Sequence, residues 1–260
     1  MQLAGDTPPA TTAKGAVRIE EPSRAERQIG RRAAESRATV PAFELATVVD
    51  MSATVTARRE FRAAAGGSAA TGGTAAAGRS AATGGSGVPS LTAMVVRACA
   101  LALRAYPRAN ASYRDGHFEL YDRVNVGVAM MSGDSFAVPT ILDADTKTAL
   151  EIAGELRSLA ARVRAGTITS PELAGATFTM SNLGIMGVSN FNPPVLPPQA
   201  AILAVGAMRA VPIVRGEDIV AGHEMNLTLT CDHRILYGTG AAEFLTRIRR
   251  LLEQPQELLS

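Results

Sequence analysis

Thr230-Cys231-Asp232-His233-Arg234-Ile235-Leu236-Tyr237-Gly238 is the stretch on which the reading of this chain turns. It closes an alternating run from Glu224, with Met225, Leu227, Leu229 and Cys231 on one face and Asn226, Thr228 and Thr230 on the other. A period of two is the mark of a strand packed on one side. Carried further, the alternation puts His233 on the packed face and Asp232 on the other. Thr239 then stands as a cap before a helix with Ala241, Phe244, Leu245, Ile248, Leu251 and Leu252 at helical spacing. A histidine is thus expected at a strand end, before a tight turn, inside the fold. Imidazole is the side chain that ordinarily titrates near neutrality, so such a residue can serve as a general base. For an isolated histidine the alternative is a core residue tied to a backbone carbonyl.

Bulk properties narrow the class without naming it. The 260 residues suffice for one large domain with a full core. A formal charge of +2 gives no general case for nucleic-acid binding. The positive side chains are almost all arginine, with lysine only at Lys14 and Lys147. Cys99 and Cys231 lie in apolar surroundings and read as small buried hydrophobes of a reducing compartment. The spacing of Cys and His suggests no metal site. There is no apolar signal-peptide core and no apolar run long enough to span a membrane, so a cytoplasmic location is the expectation.

Residues 1–16 read as a flexible linker or tail and 17–260 as one catalytic domain. Ser23 opens a helix to about Arg37, followed by a strand from Pro41 to Asp50. Between residues 63 and 88 only Arg79 and Val88 are not Ala, Gly, Ser or Thr, which predicts a mobile low-complexity loop. Ser90 caps a helix from Leu91 that stops before Pro107. A hairpin through Asp115-Gly116 follows, then strands Val124–Met131 and Phe136–Leu142. A helix over Thr148–Ala165 carries Leu150, Ile152, Ala153, Leu156, Leu159 and Val163 at its apolar positions. Downstream come a strand ending at Ser181-Asn182, a turn at Gly184 and Gly187, a proline-rich loop, and a strand over Ala200–Gly206. Alone, Ser181 reads as a turn-forming serine.

Two motifs carry a resemblance. Asp232, His233, Arg234 and Gly238 resemble the Asp-His-Arg-x-x-Asp-Gly signature of the dihydrolipoamide acyltransferases, core subunits of 2-oxo acid dehydrogenase complexes. Tyr237 stands where that signature has its second Asp. Gly175-Ala176-Thr177-Phe178-Thr179-Met180-Ser181-Asn182-Leu183-Gly184 is similar to the family's Gly-x-x-Phe-Thr-x-Ser-Asn-Leu-Gly. Weaker matches at Pro41-Ala42-Phe43, Asn110-Ala111-Ser112 and Pro198-Gln199 to Gly206 spread it over most of the chain.

The resemblance implies an α+β fold like that of chloramphenicol acetyltransferase, a two-layer mixed β-sheet with helices, assembling as a trimer. It implies acyl transfer, most simply of acetyl, between coenzyme A and a dihydrolipoyl thiol. His233 would be the base and Ser181 the oxyanion donor, supplied by different subunits across a tunnel. Asp232, Arg234, Tyr237, Gly238 and Asn182 would support the site loop, with no metal. A thiol is only a few per cent ionised at neutral pH, so such a reaction needs a base. Neither lysine lies in a hairpin turn, so the lipoyl group must come from another domain or chain. Expected partners are further copies, as a homotrimer or a larger cage joined through Leu258-Leu259, a lipoyl domain and the dehydrogenase components. Two other readings compete: a scaffold that has lost activity, suggested by Tyr237, and a small-molecule acetyltransferase.

Overall fold

The computed structural model describes residues 11–13, 15–64, 87–132 and 135–259. In chain order the elements are β1 (Thr11–Thr12), β2 (Gly15–Ala16), α1 (Arg24–Thr39), β3 (Ala42–Asp50), α2 (Ser52–Ala64) and α3 (Leu91–Ala105). Next are β4 (Ala111–Arg114), β5 (His117–Leu120), β6 (Val126–Ser132), β7 (Ser135–Ala137), β8 (Thr140–Ile141) and α4 (Ala149–Ala165). The chain continues through β9 (Phe178–Asn182), β10 (Ala201–Val205), β11 (Arg209–Arg215), β12 (Asp218–Asp232), α5 (Gly238–Glu253) and α6 (Gln256–Leu259).

β12 is the axis of the mixed sheet. Its C-terminal half pairs antiparallel with β3 on one side, ending at Asp232↔Ala42, and with β10 on the other, from Val205↔Leu227 to Ala201↔Cys231. Its N-terminal half forms a hairpin with β11. Beyond β10 the order continues through β9 and β6, both pairings parallel, to the short strands β7 and β8 at β6. The expected α+β architecture, a mixed β-sheet with helices, is the one observed.

One face of the sheet is covered by helices. Phe178, Met180, Leu203, Leu227, Leu229 and Cys231 point into a core closed by α3, α4 and α5. Fully burying a side chain such as Phe244 contributes about 1.5–3 kcal/mol. α3 is apolar on nearly every side because it lies between α4, α5 and the sheet. Local chemistry fixes the helix starts. Ser23 and Glu26 form a capping box on α1, Thr148 and Glu151 another on α4, and Ser90 caps α3. The other sheet face is partly covered by residues 188–199, where Val195 joins Val40 and Ile202 in a second small cluster.

Several expectations need correction. Tyr237, not Thr239, is the N-cap residue of α5. The strand expected over Phe136–Leu142 is broken at Val138-Pro139, since proline has no N–H for the ladder. α2 went unforeseen, because its polar sequence with one buried residue, Thr54, carries little periodic signal. Leu150 faces solvent rather than the core. Leu258, expected to be available for cage contacts, is fully buried in its own chain. Of the low-complexity stretch 63–88, residues 65–86 lie outside the described residues.

Candidate active site

The Asp232–Gly238 loop is built on the end of β12. The N–H of Asp232 donates to Ala200 O at 2.8 Å and that of His233 to Pro41 O at 3.0 Å, so two neighbouring segments hold the strand end. The N–H groups of Ile235 and Leu236 both donate to Asp232 O, which closes the turn. Ile235 and Leu236 are buried and anchor it from below.

Within the turn, the carboxylate of Asp232 receives Arg234 Nε at 2.9 Å, Arg234 Nη2 at 2.6 Å and the Arg234 backbone N–H at 2.9 Å. Hydrogen bonding to Asp232 holds the Arg234 guanidinium above the ordinary arginine range. The guanidinium also lies over the ring of Tyr113, 4.5 Å from its centroid. Tyr113 was not singled out from the sequence, and Phe43 only as part of the Pro41-Ala42-Phe43 match; their ring contacts exist only in three dimensions.

His233 is exposed, which corrects the expectation of a packed-face residue inside the fold. The alternation stops at Asp232, and the turn swings the next residue out of the strand pattern. Its ring meets Phe43 edge-on, with centroids 4.6 Å apart, and Tyr237 at 5.8 Å. Neighbouring Cys231 stays buried, and desolvation with the Asp232 charge pushes its thiol up to about 12.

Ser181 lies elsewhere, on β9, in register with Ala129 of β6 and Ala204 of β10. Ala204 is in turn paired with Thr228, so Ala129, Ser181, Ala204 and Thr228 form a row of small residues on the sheet face away from the helices. Asn182 turns to the other face, donates to Thr92 Oγ1 at 3.2 Å and accepts the Gly184 N–H at 2.9 Å. A Cβ on Gly184 would overlap the Gly206 carbonyl, so this close approach of two backbones requires glycine. These contacts fix the strand end that carries Ser181.

Ser181 and His233 do not meet within one chain. Thr228 lies two strands across from Ser181 and five residues before His233. At about 4.8 Å per strand and 3.3 Å per residue this separates them by on the order of 20 Å. Direct proton transfer works over about 3 Å. Among the described residues, neither the Ser181 hydroxyl nor the His233 imidazole has a hydrogen-bond partner. No described group of three or more His, Cys, Asp or Glu side chains could hold a metal ion.

The fold is that of a known class of acyl-transfer domain. The chain belongs to the family of 2-oxoacid dehydrogenases acyltransferase catalytic domains, whose model matches residues 15–260. It is 32% identical over 266 residues to the dihydrolipoyllysine-residue acetyltransferase component of the pyruvate dehydrogenase complex of Rhizobium meliloti, covering 96% of this chain and 56% of the relative. It superposes on the dihydrolipoamide acetyltransferase of Azotobacter vinelandii with a TM-score of 0.84 and 25% identity, covering 99% of this chain and all of that one. The cubic core of a pyruvate dehydrogenase multienzyme complex gives a TM-score of 0.83 with 26% identity, over 98% of this chain and 100% of the other. The chain spans about half the length of the curated relatives it matches. The Azotobacter study concerns a serine, a histidine and an asparagine in catalysis. Its serine and histidine are as many positions apart as Ser181 and His233, and its asparagine falls at the spacing of Tyr237.

Proposed function

We propose that this chain is the catalytic core of a dihydrolipoyllysine acyltransferase. It moves an acyl group, acetyl by analogy with its curated relatives, between coenzyme A and a dihydrolipoyl thiol carried by another domain or chain. The observation that carries the reading is the pair Ser181 and His233, both without a side-chain hydrogen bond among the described residues and far apart in one chain. Such a pair becomes a site only when two copies bring them together, as in a homotrimer or a cage built from trimers.

His233 takes the proton of the attacking thiol, and the resulting thiolate adds to the thioester carbonyl carbon. The Ser181 hydroxyl of a neighbouring copy donates to the oxyanion. Collapse breaks the bond to the original sulfur, which leaves as a thiolate and takes the proton back from His233. No acyl-enzyme forms. Asp232, Arg234, Gly238 and Asn182 keep the two strand ends in place. Residues 17–260 are the catalytic domain, 1–16 a linker, and the dehydrogenase components and lipoyl domains the partners. No described helix is long and apolar enough to cross a membrane, and we assign the protein to the cytoplasm.

The test is complementation. His233→Ala should lower turnover of acetyl-CoA with dihydrolipoamide by about 10²–10⁴-fold, and Ser181→Ala by about 10²–10³-fold. Unfolded together and refolded as mixed trimers, the two variants regenerate intact sites, recovering roughly a quarter of wild-type activity. No recovery on mixing would rule out a shared site.

A further inference from the structure

Tyr237 is a poor local choice for its place in the fold. It occupies the N-cap position of α5, with φ −99° and ψ 164°, yet its side chain makes no capping hydrogen bond. Asp or Asn there could accept from a first-turn N–H, as those residues do at helix starts. Gly238 and Gly240 weaken the same turn further. Burial does not explain the ring either, because Tyr237 is 55% exposed. Its hydroxyl reaches Arg234 O only at 3.5 Å, the outer limit of a hydrogen bond. What the ring does touch is His233, edge-on, at 5.8 Å between centroids and 78° between planes.

Among the described residues, no polar group fixes the imidazole. Its ring nitrogens have no hydrogen-bond partner among the described residues. The adjacent carboxylate of Asp232 is fully engaged by Arg234. That leaves two aromatic contacts, Phe43 at 4.6 Å and Tyr237, with the ring quadrupoles favouring the edge-on geometry seen in both.

We propose that Tyr237 is a positioning residue. Its ring and that of Phe43 hold the His233 imidazole in one orientation, a steric and quadrupolar device in place of a polar side chain at this position. The inference rests on His233 being the base proposed above. It identifies the departure from the Asp-His-Arg-x-x-Asp-Gly pattern as a substitute for the missing Asp rather than a mark of lost activity.

Two measurements test it on the full chain. The first is NMR of protein labelled with ¹³C at histidine, which has only His117, His223 and His233 to resolve. Tyr237→Leu should move the His233 ring signals and leave the other two, while Tyr237→Phe should keep all three near their wild-type positions. The second is steady-state turnover of acetyl-CoA with dihydrolipoamide. Tyr237→Leu should lower kcat by about tenfold with KM for acetyl-CoA little changed, and Tyr237→Phe should restore it. The melting temperature should stay the same in both, since the side chain neither caps the helix nor packs in the core. Unmoved His233 signals in Tyr237→Leu would overturn the proposal, as would wild-type turnover in that variant. A wild-type protein without turnover on any acyl-CoA would remove the acyl-transfer reading instead, and the NMR comparison would still decide whether the ring contact exists.

Discussion

Asp232 binds Arg234 through both carboxylate oxygens and through the backbone N–H of the same residue, two positions apart in the chain. Asp232 is 2% exposed and Arg234 reaches out to the Tyr113 ring. The pair therefore spans the turn from its buried foot to its rim. His233 sits between its two members and goes where the turn puts it.

Replacing Asp232 by Asn keeps the shape and removes the charge. Arg234 is partly exposed and can recover some hydration, which keeps the loss below that for a fully buried pair. We expect a destabilisation of about 2 kcal/mol in urea denaturation. Turnover should fall with it, because the backbone N–H of Arg234 loses its charged acceptor. A variant as stable and as active as the parent would show that the pair does not organise the loop.

Gly184→Ala tests the other half of the site. The added methyl meets the Gly206 carbonyl and the Ala207 amide, backbone atoms just past β10 that are held by hydrogen bonds from Gly206 N–H to Asn226 O and from Ala207 N–H to Val188 O. We expect a loss on the order of 3 kcal/mol and a displaced Ser181 strand end. Turnover measured below the melting temperature should drop more than stability alone explains.

Leu258 separates two views of the C-terminus. Its side chain is fully buried in its own core, so Leu258→Ala should cost about 2–5 kcal/mol in the folded unit at any protein concentration. If the tail instead served only contacts between trimers, the substitution would change particle size in sedimentation and leave the unfolding midpoint alone.

The cysteines give a pH prediction. Burial raises the thiol of Cys99 well above its ordinary range, and that of Cys231 up to about 12. Both keep their protons in the folded chain above the pH at which the unfolded chain loses them. Their contribution to stability is complete below pH 9.0, the ordinary thiol value, and declines as pH rises beyond it. Native protein should resist an aromatic disulfide reagent at pH 8 and react at both thiols once unfolded. Rapid labelling of the native state would contradict their burial.

Much of the fold is written locally. The apolar positions Ala241, Phe244, Leu245, Ile248, Leu251 and Leu252 are all buried where the helical period places them. The caps at Ser23, Ser90 and Thr148 start helices as their side chains dictate. Asp115 and Gly116 both take positive φ in the hairpin they were expected to form. The motifs around Ser181 and His233 marked the family as well. These features depend on near neighbours in the chain, which is why a sequence can display them.

The sequence by itself could not show which way His233 faces. Alternation ran it into the core, but pairing of Asp232 with Arg234 ends the strand one residue early and turns the imidazole outward beside Phe43 and Tyr237. Nor could it show that Ser181 and His233 stand apart on one sheet, since that separation is set by strand order and register across β9, β10 and β12. Strand order is decided by contacts between residues far apart in the chain, where no local periodicity reaches. The candidate residues were legible as types and motifs; the distance between them within one chain follows only from where the sheet puts them.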